Sequence, residues 1–213
     1  MIKINVADKP RHKGPIPFAR FDMNSWSAAP YLEEDFRPPP DSPVRIVLDP
    51  SWTENEQSDA NALVCGYWEP DPEMVGDKPF ILLDALSGVF AGRKLVHATL
   101  DFIVKWNPVR FSIEVAAGRE TKLLQHYLED QAAIRGITIP AVQMHQAGGT
   151  PWSKAKRVAK IQYTLDRSRL KVRKGAYLRK MADQARAFDF TRQDNQCRED
   201  GLIDALSRCM GFN

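Results

Sequence analysis

The spacing of apolar runs between residues 44 and 144 constrains the fold most strongly. Three short runs, at residues 44–49, 60–68 and 80–86, follow one another with connections too short for a helical crossover, which predicts an antiparallel meander. Two further runs, at 109–115 and 137–144, each follow a stretch with apolar side chains at helical spacing: Leu95, Ala98, Phe102 and Ile103 within 94–106, and Leu123, Leu124, Tyr127 and Leu128 within 119–134. Strands separated by helical crossovers pair in parallel. The pattern therefore predicts an α/β fold: a mixed five-stranded sheet, antiparallel over strands 1–3 and parallel over strands 4–5, flanked by helices. Two more helices are expected at about 153–165 and 199–210, the first of them after the loop 146–152.

The first 43 residues cannot join that sheet as a central strand. They hold eight of the fifteen prolines, including Pro38-Pro39-Pro40, and proline fixes φ and removes a donor. Phe18, Phe21, Trp26, Tyr31 and Phe36 give this arm apolar side chains to pack with. It reads either as a linker from an upstream domain or as an arm wrapped over its own domain, leaving 44–213 as the main domain. The N-terminus lacks the apolar stretch of a secretory leader, and no run approaches the roughly 18 apolar residues of a membrane span. Cys65, Cys197 and Cys209 form no C-x-x-C pair and no disulfide framework, so a reducing compartment is expected.

Charge is unevenly distributed. Residues 153–180 carry eleven Lys/Arg against one acid, Asp166, a net +10, while the rest of the chain carries −7. A basic block on an acidic protein is the footprint of a polyanion-binding surface, or more plainly a solvated pair of helices. Within it, Lys154, Lys156, Arg157 and Lys160 occupy one predicted helix.

The acids are more telling. Asp49 ends the first strand and Glu114 lies near the end of the fourth. Asp200 and Asp204 stand four residues apart on the last helix, hence on one face. Taken singly, each has an ordinary account: Asp49 before Pro50 suits a turn, Glu114 can pair with Arg110 or Arg119, Asp200 suits a helix N-cap, and Asp204 a solvated helix face. Together they would converge and repel, unless a divalent cation neutralises them. Hard carboxylate oxygens suit Mg²⁺ or Mn²⁺, and two such ions about 4 Å apart can activate water and stabilise a leaving oxygen in phosphodiester hydrolysis.

This order of elements and acids resembles the RNase H-like nucleases, and within them the nuclease domain of the large terminase subunit of tailed bacteriophages. Four stretches carry the resemblance: Ile46-Val47-Leu48-Asp49-Pro50-Ser51 with Ser58-Asp59-Ala60-Asn61-Ala62-Leu63; Ile113-Glu114-Val115-Ala116-Ala117-Gly118; Lys154-Ala155-Lys156-Arg157-Val158-Ala159-Lys160-Ile161; and Glu199-Asp200-Gly201-Leu202-Ile203-Asp204-Ala205-Leu206. Gly201 departs from the adjacent acids frequent in that last motif, so both Asp200 and Asp204 are carried as ligands.

The resemblance implies a two-metal-ion endodeoxyribonuclease. Asp49, Glu114, Asp200 and Asp204 would hold two Mg²⁺ or Mn²⁺ ions, and Lys154, Lys156, Arg157 and Lys160 would contact the phosphates of double-stranded DNA. His145 is the histidine nearest the expected catalytic edge. The implied role is cutting concatemeric viral DNA during genome packaging, in the cytoplasm of an infected bacterium. The implied partners are an ATPase domain or chain, a small terminase subunit and a portal, with no membrane. No G-x-x-x-x-G-K-[ST] motif for a packaging ATPase occurs; the stretch from Gly148 to Lys154 is glycine-rich but out of register. Alternatives are an RNase H-like junction resolvase or transposase-type nuclease, or a non-catalytic DNA-binding or motor-docking module.

Overall fold

The computed structural model describes residues 16–51, 60–70, 78–90, 92–115, 119–146, 151–191 and 200–211. The elements run α1 (Met23–Ser27), β1 (Tyr31–Leu32), β2 (Arg45–Asp49), β3 (Asn61–Trp68), β4 (Phe80–Gly88), α2 (Gly92–Trp106), β5 (Arg110–Val115) and α3 (Arg119–Ile134). They continue with β6 (Val142–Gln146), α4 (Pro151–Asp166), β7 (Leu170–Arg173), α5 (Tyr177–Ala187) and α6 (Gly201–Cys209).

Among the described residues, seven strands form one mixed sheet in the order β1-β7-β4-β3-β2-β5-β6. The β2–β3 and β3–β4 pairs are antiparallel; the β2–β5 and β5–β6 pairs are parallel. These are the five expected strands, in the expected directions.

The sheet is wider than five strands. β7 adds parallel to β4, and the two-residue β1 adds parallel to β7. β7 hides inside the basic block as Leu170-Lys171-Val172-Arg173, where a period-two pattern sits among charges. α5 was likewise unassigned, although Tyr177, Met181 and Ala185 recur at helical spacing and are buried. β6 begins five residues later than expected. Ile137 N–H instead donates to the Ala132 carbonyl, closing α3 around Gly136 at φ +64°, and Pro140 has no N–H to give a ladder.

Strand parity sorts the strand side chains between two cores, except that a register shift in the β3–β4 pair turns Asp84 toward the first face and Ala85 toward the second. Ile46, Leu48, Leu63, Ile81, Phe111 and Ile113 face α2 and α3, meeting Leu95, Leu100, Phe102, Leu124 and Leu128. Val47, Ala62, Val64, Phe80 and Leu82 face the other way, against α4, α5 and α6. Each fully buried aliphatic side chain contributes roughly 1.5–3 kcal/mol, so both faces are held mainly by apolar burial.

Part of the proline-rich segment belongs to the second core. Phe21 and Trp26 are buried in it, and Phe18 meets Tyr163 and Phe190 edge-on, with ring centroids 5.6 and 5.0 Å apart. Further along, Arg173 donates to the Glu34 carbonyl and Lys174 pairs with Glu33 at 2.8 Å. This segment thus runs along α4, α5 and β7, and further on Leu32 and Phe36 pack against the first core; residues 1–15 lie outside the described set.

Candidate active site

Parity places the strand acids on the same side of the sheet. Asp49 follows Val47 by two residues, and Glu114 follows Ser112, whose neighbours Phe111 and Ile113 point the other way. Both carboxylates therefore emerge on the α6 face, from the parallel neighbours β2 and β5. The buried Asn61 pins the exit of β2: its Oδ1 accepts from Ser51 N–H at 2.8 Å, and its Nδ2 donates to the Gly88 and Phe90 carbonyls.

From the helix side, Asp204 points into the same space. Asp49, Glu114 and Asp204 each offer an oxygen, and these atoms lie within 4.8 Å of one another. Three residues separated by 65 and 90 positions are thus brought to one point. Asp204 is buried, at 3% exposure, so it is not a solvated helix-face residue. Asp200 is also buried beside the group. It occupies the N-cap position of α6 but makes no capping bond with its side chain. That bond comes from Gln184 of α5, whose Oε1 accepts from Leu202 N–H at 2.9 Å and from Ile203 N–H at 3.4 Å.

Three cations enter the cluster. Lys154 Nζ lies 2.8 Å from Asp200 Oδ1 and 3.4 Å from Asp204 Oδ2. The Arg157 guanidinium holds Asp204 Oδ1 through Nη2 at 2.5 Å and Nε at 3.1 Å, with Ser207 Oγ also at 3.1 Å from Nε. Arg208 Nη2 lies 2.6 Å from Glu114 Oε1. Glu114 therefore pairs with Arg208, one helical turn beyond Asp204. Its other oxygen, Oε2, is buried without a hydrogen-bond partner among the described residues.

The expected phosphate-contacting cations divide into two groups. Arg157, 4% exposed, pairs with Asp204 and faces inward. Lys154 also points at the acids. Lys156 and Lys160 are half-buried on α4. His145 is the register partner of Glu114 on β6, and its Nε2 lies 3.2 Å from Ser112 Oγ. It lies outside the group of converging acids. Ser207, Arg208, Gln184 and Asn61 were not anticipated; for Arg208 the i, i+4 spacing from Asp204 was a usable signal.

Electrostatics separate the carboxyls. Burial pushes the Asp49 carboxyl well above its usual range, and Glu114 and Asp204 push it further. Burial and Asp204 also raise Glu114, with Arg208 only partly offsetting them. For Asp204, burial acts upward too, but Lys154 and Arg157 outweigh it and the net shift is downward. Burial disfavours the Lys154 ammonium, yet Asp204 and Asp200 overcome that and raise its pKa. The His145 pKa is lowered by burial and by Arg208.

Sequence comparison finds no matching family model and no curated relative. Structure comparison does find matches. The human cytomegalovirus terminase nuclease domain superposes with a TM-score of 0.57 at 12% identity, over 79% of this chain and 82% of that one. The HK97 bacteriophage large terminase superposes with a TM-score of 0.53 at 12% identity, over 93% of this chain and 43% of that one. The fold is the RNase H-like fold of the terminase nucleases. At these identities the likeness is one of fold. Among the described residues no helix is long and apolar enough to cross a membrane.

Proposed function

We propose that this chain is a metal-dependent endonuclease that hydrolyses phosphodiester bonds of double-stranded DNA, acting as a terminase nuclease on concatemeric viral DNA in the infected bacterial cytoplasm. One observation carries this reading: three carboxylates from β2, β5 and α6 converge within 4.8 Å, and one of their oxygens is buried with no donor to satisfy it. An all-oxygen donor set of this charge suits Mg²⁺ or Mn²⁺. Asp49, Glu114 and Asp204 are the residues to hold such ions, with Asp200 at the edge of the group. When bound, divalent ions supply an acidified water and charge stabilisation at the leaving oxygen.

The chain's own residues prepare that chemistry. Arg157 and Arg208 fix the rotamers of Asp204 and Glu114, so the acids are oriented before any ion arrives. Lys156 and Lys160 of α4 serve as backbone-phosphate contacts, which position the duplex and carry no base information. His145 pairs with Ser112 and stands apart from the three converging carboxylates. An upstream ATPase, a small terminase subunit and a portal are the partners this role requires.

Digestion of supercoiled plasmid in Mn²⁺, Mg²⁺ or EDTA, wild type beside Asp49→Ala, tests the proposal. Nicking and linearisation should need the metal and vanish in the variant while its circular dichroism spectrum is unchanged. Metal-dependent cutting by Asp49→Ala would refute the site. Preferential cleavage of a four-way junction over plasmid would assign a resolvase instead, and DNA binding without any cutting would assign a docking module.

A further inference from the structure

Seven charged side chains meet at the site: Asp49, Glu114, Asp200 and Asp204 against Lys154, Arg157 and Arg208, a net charge of −1. The cations are not shared evenly. Both oxygens of Asp204 are already engaged, Oδ1 by Arg157 and Oδ2 by Lys154; Asp200 Oδ1 is engaged by Lys154, and Glu114 Oε1 by Arg208. Asp49 makes no ion pair or hydrogen bond through its carboxylate with the described residues, and Glu114 Oε2 is unpartnered. On the strand side the Asp49 carboxylate and Glu114 Oε2 are open, while on the helix side an ammonium lies between Asp200 and Asp204.

We infer that Lys154 is an internal cation holding the place of a second metal ion: the DNA-free protein takes up one divalent ion on the Asp49–Glu114 side, and a second is admitted only when Lys154 moves from Asp200 and Asp204 to a phosphate oxygen of the duplex. This rests on the metal-nuclease reading above and adds a regulatory step to it.

Charge supports the order of events. One divalent ion takes the cluster from −1 to +1, and a phosphate then brings it to zero. A second ion without DNA would take it to +3 in a half-buried site, where like charges repel strongly. The two helix-side cations also differ in mobility. Arg157 is a planar fork held by Asp204 and backed by Ser207, with its side chain 5% exposed. Lys154 is a point charge on a flexible four-carbon stem, 28% exposed at the side chain, and it stands at the beginning of α4. Lys154 is the cation able to leave. Its movement to DNA would make full metal loading, and hence cutting, conditional on bound substrate.

The test counts Mn²⁺ bound to the full chain without DNA, by isothermal titration calorimetry and by electron paramagnetic resonance of the unbound ion. Wild type should take up one ion and Lys154→Met two, with the second bound at least about tenfold tighter than any second uptake by wild type. Lys154→Arg should keep the count at one. Wild type taking up two ions of similar affinity would overturn the inference while leaving the metal reading intact, as would a folded Lys154→Met that still binds one. Uptake of none by wild type would remove both. If circular dichroism shows Lys154→Met unfolded, Lys154→Gln replaces it, and the wild-type count is decisive on its own.

Discussion

The two faces of the sheet solve different problems. The face under α2 and α3 is apolar almost throughout, with Leu48, Leu83, Leu100, Phe111 and Leu128 fully buried. Its one strand carboxylate, Asp84, is fully supplied: Lys105 Nζ reaches it at 2.6 Å and Trp106 Nε1 at 3.0 Å. The face under α4, α5 and α6 is apolar at its centre but concentrates buried acids at one end, with fewer donors than their oxygens require. A carboxylate whose partners complete it stabilises a fold. A carboxylate left incomplete, beside others left incomplete, holds charge for something that binds. Asp84 and Asp49 are both strand acids, and their surroundings alone distinguish them.

That contrast can be broken by substitution. Arg157→Met should do most damage, about 3–5 kcal/mol of stability in urea titration, because it strands a buried charge on Asp204; cutting should be lost with it. Leu100→Ala on the opposite face should cost about 2–5 kcal/mol by opening a cavity, yet leave Mn²⁺ uptake and plasmid nicking intact at a temperature where the variant is folded. Equal loss of metal uptake in both variants would mean that the two faces are not separable. Gln184→Ala should cost about 1–2 kcal/mol, since two α6 donors lose their acceptor, and should weaken metal uptake by loosening the turn that carries Asp200 and Asp204.

The smallest effect sharpens the comparison through pH. A carboxyl whose folded pKa is raised stabilises the folded state below its unfolded value and loses that contribution as pH climbs through the folded one. For Asp49, whose shift is upward, metal-free protein should therefore lose stability from about pH 4 toward neutrality. Asp49→Asn should be more thermostable than wild type at pH 7 in EDTA, with the gap closing toward pH 4. No such pH-dependent gap is expected for Leu100→Ala. A gap that widens on acidification would contradict the unpartnered state of Asp49.

The apolar face was legible because its signals are periodic: Leu95, Phe102 and Ile103 predict α2, Leu124 and Leu128 predict α3, and the strand runs have few charges. The meander and the parallel pair followed from connection lengths. On the other face, β7 and α5 were obscured because their charged residues dominate the pattern. Arg173 is buried, and its Nη1 and Nη2 donate to the backbone carbonyls of Leu83 and Glu34, a partnership that no local sequence pattern announces. β1 is two residues long and has no periodicity to read. At the site, the acids were legible by residue type and position. The direction of Lys154 and Arg157 was not, because a basic helix reads alike whether its charges meet solvent or buried acids.

The amide of Gln184 separates two tasks that helix starts usually combine. An aspartate at the head of a helix ordinarily spends its oxygen on the backbone below it; here a neutral side chain borrowed from α5 performs that service, and Asp200 keeps its charge for other use. The first turn of α6 is consequently anchored from outside its own segment. A displacement of α5 would reach the acids through one uncharged contact, a mechanical handle remote from the converging carboxylates.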